Sequence, residues 1–227
     1  MTAFKICGLR ELGHALAATD AGADYLGFVF VPGVRRRISA DRAREIIQEC
    51  RRLRGSAMPA IVGLFANQTL EDVNQIVRHC SLEFAQLCGD EPPEYWERIE
   101  APVIRQIKVR EDRPRDETID EVRRRVDEVV SGMHTALLDK HQAGHLGGAG
   151  KSFDWSIARD IARSHEFLLA GGLSPENVRQ AITEVSPRGV DVSSGIETDG
   201  VKDLTKIAAF AEEVRRADEA IPESRRP

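Results

Sequence analysis

Short aliphatic and β-branched runs recur along the chain, at residues 4–7, 25–30, 60–65, 84–87, 103–109, 136–139, 167–170 and 190–193. These runs are continuous rather than alternating. Strands buried on both faces have this pattern, and such strands belong to parallel sheets. Between the runs the apolar positions take a helical spacing. Leu12, Ala15, Leu16 and Ala18 form one stripe before Gly22, and Ala43, Ile46, Ile47 and Cys50 form another within residues 40–53. Residues 70–79 follow Thr69, and residues 155–162 follow Asp154. Both preceding residues are good N-cap types. Ile119, Val122, Val126, Val129 and Val130 mark a helix over 119–130. Ser174-Pro175-Glu176 predicts a helix running through Ile182, with Ser174 as N-cap and Pro175 at the first helical position. A last helix is predicted over 204–214. Only 92–100 is weak and short.

Eight strand–helix repeats within 227 residues predict an α/β chain folded as a single-domain (β/α)8 TIM barrel. An open doubly wound sheet is the rival. So many units in so short a chain favour closure, and no G-x-G-x-x-G follows the first run. The barrel is expected to occupy residues 1–214. The charged segment 215–227 is expected to be a frayed tail.

Composition narrows the function classes. Lys and Arg number 32 against 37 Asp and Glu, a formal charge of −5. A mildly acidic chain with scattered basic residues does not read as a nucleic-acid binder. The longest apolar stretch, residues 25–34, is far short of the ~20 residues of a membrane span and contains Pro32 and Gly33. Nothing at the N-terminus resembles a secretory leader. None of Cys7, Cys50, Cys80 and Cys88 forms a C-x-x-C pair. The expected compartment is therefore the reducing cytoplasm.

In this fold, chemistry belongs at the C-terminal ends of the strands. Cys7 ends the first run and Cys88 the fourth. Either thiol could be reactive or simply a small buried hydrophobe. Asp139 closes the apolar sixth run, where an acid needs a partner or a task. Gly171-Gly172 follows the seventh run, and Ser193-Ser194-Gly195 closes and follows the eighth. Barrels often bind phosphate with these two loops, and glycines let backbone N–H groups approach an anion. Arg35-Arg36-Arg37 follows the second run. One of these three could reach over the barrel mouth and clamp a carboxylate. Two patterns mislead. The stretch 144–152 ends like a phosphate-binding P-loop, but the motif needs glycine where His145 stands. His141 and His145 have i, i+4 spacing, yet Gly144 and the following glycines argue against a metal-binding helix.

Taken in order, these motifs resemble the phosphoribosylanthranilate isomerase family over roughly residues 4 to 214. Lys5-Ile6-Cys7-Gly8-Leu9 is similar to its opening K-I-C-G motif. Gly27-Phe28-Val29-Phe30, Arg36 with Ile38-Ser39, and Gly63-Leu64-Phe65 follow. Leu138-Asp139, Ala170-Gly171-Gly172-Leu173-Ser174-Pro175-Glu176-Asn177-Val178 and Val190-Asp191-Val192-Ser193-Ser194-Gly195-Ile196-Glu197 complete the series. Gln86-Leu87-Cys88-Gly89 departs from it, because the family usually has histidine where Cys88 stands.

The resemblance implies an Amadori rearrangement of N-(5-phosphoribosyl)anthranilate in tryptophan biosynthesis, with no cofactor and no metal. It implies Cys7 as general base, Asp139 as general acid and Arg36 on the substrate carboxylate. Gly171, Gly172, Ser193, Ser194 and Gly195 would hold the phosphate. Asp191 is either a support for the phosphate loop or a direct participant. Cys88 would be a supporting residue. Such roles require a lowered Cys7 pKa and a raised Asp139 pKa. The expected partner is a small phosphorylated sugar–anthranilate, with no nucleic acid and no membrane. Monomer and homodimer both fit. The rivals are the histidine-pathway aminoaldose isomerase, which uses aspartate where Cys7 stands, and a non-catalytic phosphate-binding barrel.

Overall fold

Eight parallel strands close into a barrel in chain order. They are β1 (Ala3–Cys7), β2 (Tyr25–Val29), β3 (Ala60–Phe65), β4 (Phe84–Leu87), β5 (Val103–Val109), β6 (Thr135–Lys140), β7 (Leu168–Leu169) and β8 (Gly189–Val192). The computed structural model describes residues 1–140 and 153–220. The P-loop-like stretch 144–152 and the His141/His145 pair lie outside the described residues. Helices α1 (Leu12–Asp20), α2 (Ala40–Arg54), α3 (Leu70–Cys80), α4 (Pro93–Trp96), α5 (Arg115–Ser131), α6 (Trp155–Ala162), α7 (Val178–Val185) and α8 (Leu204–Ala220) follow the strands in turn.

The strands alternate between two apolar layers. Ile6, Leu26, Phe28, Ile61 and Leu138 pack outward beneath the helices. Cys7, Val29, Val62, Ile104, Leu137 and Leu168 fill the barrel interior. The seam between β1 and β8 sets Lys5 opposite Asp191. Two polar residues thereby meet inside an apolar cylinder.

Three elements differ from the sequence reading. The seventh helix begins at Val178, not at Ser174. Asn177 instead closes a turn: its Oδ1 accepts from the Ser174 N–H at 2.8 Å, and its Nδ2 donates to the Gly172 carbonyl at 2.9 Å. The last helix continues to Ala220 rather than fraying from Arg215. Ala217 is fully buried, and Asp218 accepts from Thr2 N at 2.8 Å and Thr2 Oγ1 at 2.7 Å. A hairpin of β9 (Glu197–Thr198) and β10 (Val201–Lys202) was not foreseen. Its turn residues, Asp199 and Gly200, both have positive φ. Asp-Gly is a strong signal for such a turn.

Candidate active site

A cavity of about 530 Å³ opens at the C-terminal ends of the strands. That volume suits a small-molecule ligand. Cys7, Arg36, Cys88, Asp139 and Asp191 all border it, as do Gly171, Gly172, Ser193 and Ser194. Gly195 stands behind this wall, where a Cβ would collide with the Leu173 carbonyl oxygen. Cys50 and Cys80 lie in the outer core beneath the helices, away from the cavity.

Asp139 sits at the mouth end of β6. Its Oδ1 accepts from the Lys140 N–H at 2.7 Å, and its Oδ2 accepts from Gln106 Nε2. Burial, together with the nearby Asp191 carboxylate, pushes its carboxyl up to about 6. The two hydrogen bonds and Lys5 oppose that rise without cancelling it. The raised value suits an acid. Gly171 packs directly behind: its φ is +90°, and a Cβ there would lie 2.9 Å from Asp139 Oδ1. Only glycine tolerates both the backbone angle and the proximity.

Cys7 departs from expectation. Burial pushes its thiol above the ordinary value instead of lowering it. Lys5 and Lys202 pull the value back down, while Asp191 adds to the rise. Of the two, Lys5 has the larger lowering effect on the thiol. Gly27 on β2 shows how closely the two groups converge: a Cβ there would lie 3.1 Å from Cys7 Sγ and 3.2 Å from Lys5 Cε. Lys5 is fully buried and donates to Asp191 Oδ1 at 2.9 Å. Breaking a buried pair strands the remaining charge, which typically costs ~3–5 kcal/mol. Lys5→Met is therefore expected to lower unfolding stability by about that much. Urea unfolding measures it. A loss under about 1 kcal/mol would show that Asp191 does not depend on Lys5.

Cys88 follows β4. Arg105 fastens the backbone on either side of it, donating to Leu87 O and Gly89 O at 2.8 Å each. Desolvation pushes the Cys88 thiol up to about 12, so it stays protonated. Gln86 Nε2 lies 3.5 Å from its sulfur.

Arg36 lies across the barrel mouth because Gly8 makes room: φ is +80°, and a Cβ there would lie 2.6 Å from Arg36 Cδ. One edge of its guanidinium is already occupied. Nε and Nη2 donate to Glu197 Oε1 and Oε2 at 2.6 and 2.9 Å. Arg35 converges on the same Glu197 carboxylate and donates also to the Gly200 carbonyl, and Arg37 is exposed. Lys202 Nζ donates to Glu197 Oε1 at 3.0 Å and to the Ser193 carbonyl at 2.7 Å. Burial raises the Glu197 carboxyl, but bonds from Arg36, Arg35 and Lys202 outweigh it and hold the value at about 2. Ser193 Oγ donates to the Cys7 carbonyl at 3.2 Å, which ties the eighth-strand loop to the end of β1. Lys5, Gln106, Glu197 and Lys202 have no role in the sequence reading, although Lys5 and Glu197 stand within the family-like motifs.

The family described as N-(5'phosphoribosyl)anthranilate (PRA) isomerase matches residues 4–213. A Roseiflexus castenholzii protein named N-(5'-phosphoribosyl)anthranilate isomerase is 45% identical over 217 residues, covering 94% of this chain and 98% of its own. The crystal structure of phosphoribosyl anthranilate isomerase from Thermotoga maritima has a TM-score of 0.81 at 34% identity, over 95% of this chain and 100% of that one. Another such structure, in complex with reduced 1-(o-carboxyphenylamino)-1-deoxyribulose 5-phosphate, has a TM-score of 0.78 at 33% identity, again over 95% and 100%.

Proposed function

The chain belongs to the N-(5'-phosphoribosyl)anthranilate isomerase family, and we propose that Cys7 and Asp139 carry out the family's rearrangement as general base and general acid. It is an isomerase of tryptophan biosynthesis. The observation that carries the assignment is the pairing itself: a thiol and a carboxyl kept partly neutral border one cavity at the catalytic end of the barrel.

The steps balance without redox change. Asp139 protonates the ribose ring oxygen as the C1′–O bond breaks, and the nitrogen lone pair forms an iminium. The Cys7 thiolate takes the proton from C2′, and that electron pair makes the C1′–C2′ double bond of an enolamine. Returning the Cys7 proton to C1′ and the C2′ hydroxyl proton to Asp139 gives the ketone and restores both groups. Arg36 holds the anthranilate carboxylate. Backbone N–H groups around Gly171, Gly172, Ser193, Ser194 and Gly195 hold the phosphate, steadied by Lys202 through the Ser193 carbonyl. Asp191 acts through Lys5, and Cys88 packs beside the ligand as a neutral thiol. The partner is this small phosphorylated substrate. No helix among the described residues is long and apolar enough to cross a membrane. A cytoplasmic monomer or homodimer that engages neither membrane nor nucleic acid is the reading that fits.

Turnover of N-(5-phosphoribosyl)anthranilate made in situ, followed by loss of anthranilate fluorescence, tests this function. Rapid loss supports it. Activity confined to the histidine-pathway aminoaldose would move the chain to that rival, and binding without turnover would leave a non-catalytic barrel.

The pKa directions predict the pH profile. The reactive form needs a neutral Asp139 and an ionised Cys7, yet Asp139 loses its proton first, near 6. Cys7, which burial pushes up, follows only above the ordinary thiol range. Between those values the pair holds one proton, and the reactive arrangement is a constant minor fraction. We therefore expect kcat/KM to be flat from about pH 6 up through the ordinary thiol range, because burial raises Cys7, and to fall on either side. A steady rise across that interval would mean that no neutral acid is needed. A decline setting in at its lower end would remove the thiolate base.

A further inference from the structure

Glu197 is buried at the barrel mouth with a side-chain exposure of 6%. Three cations, Arg35, Arg36 and Lys202, converge on its two oxygens at 2.6 to 3.0 Å. The contact with Arg36 is bidentate through Nε and Nη2. A guanidinium is a planar fork with two such edges. Among the described residues nothing engages Nη1, so the second edge of Arg36, Nη1 with the remaining Nη2 hydrogen, is free. Arg36 borders the cavity beside Ser193 and Ser194.

We propose that Glu197 is a positioning residue for recognition of the substrate carboxylate: it clamps one edge of the Arg36 guanidinium and so presents the other to the ligand. The inference rests on the assignment of Arg36 to that carboxylate. A long arginine side chain left unclamped would lose rotamer freedom on binding, and clamping removes that loss beforehand. The hairpin and the start of α8 hold Glu197 in turn. Lys202 on β10 bonds its carboxylate, and Lys206 Nζ donates to its backbone carbonyl at 2.8 Å.

Charge alone predicts the opposite of this proposal. Neutralising Glu197 leaves three cations without their anion, which should strengthen binding of a carboxylate. Positioning requires that binding weaken. Reduced 1-(o-carboxyphenylamino)-1-deoxyribulose 5-phosphate and its phenylamino counterpart lacking the carboxylate separate the two. Titration calorimetry on the wild type, Arg36→Met and Glu197→Gln, with thermal unfolding alongside, reads the affinity ratio between the ligands. The wild type should prefer the carboxylated ligand by about tenfold or more, as expected for charge-assisted bonds. Arg36→Met should lose that preference. Glu197→Gln should lose most of it while binding the carboxylate-free ligand as the wild type does.

An undiminished or larger ratio in Glu197→Gln, with Arg36→Met behaving as expected, would overturn the role of Glu197 and leave that of Arg36 standing. Equal weakening of both ligands would mark Glu197 as a structural tie and overturn the proposal. A preference retained in Arg36→Met would sink the Arg36 assignment and this inference with it. Should Glu197→Gln fail to fold, Glu197→Asp keeps the charge but shortens the reach. A full ratio in that variant would equally count against positioning.

Discussion

Asp139→Asn is expected to lower kcat by about 10²–10⁴-fold, the usual contribution of a positioned acid, with little change in KM. The amide nearly matches the carboxyl in shape. Its oxygen can still accept from the Lys140 N–H, and the Gln106 amide can turn to accept from its nitrogen. What it lacks is a proton to give to the departing ring oxygen. Burial that pushes Asp139 up to about 6 keeps part of it protonated near neutral pH, and no nearby described group replaces that proton. The Cys88 thiol, held up at about 12, gives up its proton too reluctantly to serve. The steady-state fluorescence assay reads kcat and KM separately. An unchanged kcat with a raised KM would make Asp139 a binding group instead.

Cys7→Ala is expected to lose about as much, 10²–10⁴-fold in kcat, again without a matching change in KM. The sulfur lies in the barrel interior beside Lys5, and alanine leaves only a small void. Stability should therefore fall by no more than about 1–2 kcal/mol, well within what a barrel of this size tolerates. The second thiol in the cavity, Cys88, stays neutral and is not expected to take over. Residual activity in Cys7→Ala that vanishes on removing Cys88 as well, or near-normal kcat in the single variant, would mean that the proton at C2′ leaves by another route.

Where an apolar run was long and bounded, the sequence reading matched the structure residue for residue, as at β3, β5 and α6. Local chemistry misled at the seventh helix. Ser174 and Pro175 are good opening residues, but the side chain of Asn177 turns back to the loop after β7 and delays the helix. At α8, burial of Ala217 and the bonds that Thr2 donates to Asp218 hold a charged segment in helix. Those contacts lie at the other end of the chain and leave no local trace.

The site divides in the same way. Cys7, Asp139 and Arg36 were visible because each follows or ends a strand at the catalytic face. Lys5 and Glu197 act through partners 186 and 161 residues away, so spacing is silent about them. Two signals were nonetheless present. A lysine inside the buried run 4–7 demands an anion in the core. Asp199-Gly200 marks a hairpin that carries Glu197 and Lys202 back to the mouth. The pKa of Cys7 was beyond the sequence altogether. Its direction depends on burial against Lys5, Lys202 and Asp191, and burial prevails.

The most direct test of the thiol–carboxyl pair is Cys7→Ser in the fluorescence assay, with binding of the reduced product analogue measured on the same preparation. Serine is close to cysteine in shape, though slightly smaller and a stronger hydrogen-bonding group, and it is far harder to ionise, so it tests basicity with little change in packing. The account predicts analogue binding within a few-fold of the wild type and turnover reduced by about 10²-fold or more. Turnover within about tenfold of the wild type would contradict it, because the proton at C2′ would then be leaving without a thiolate.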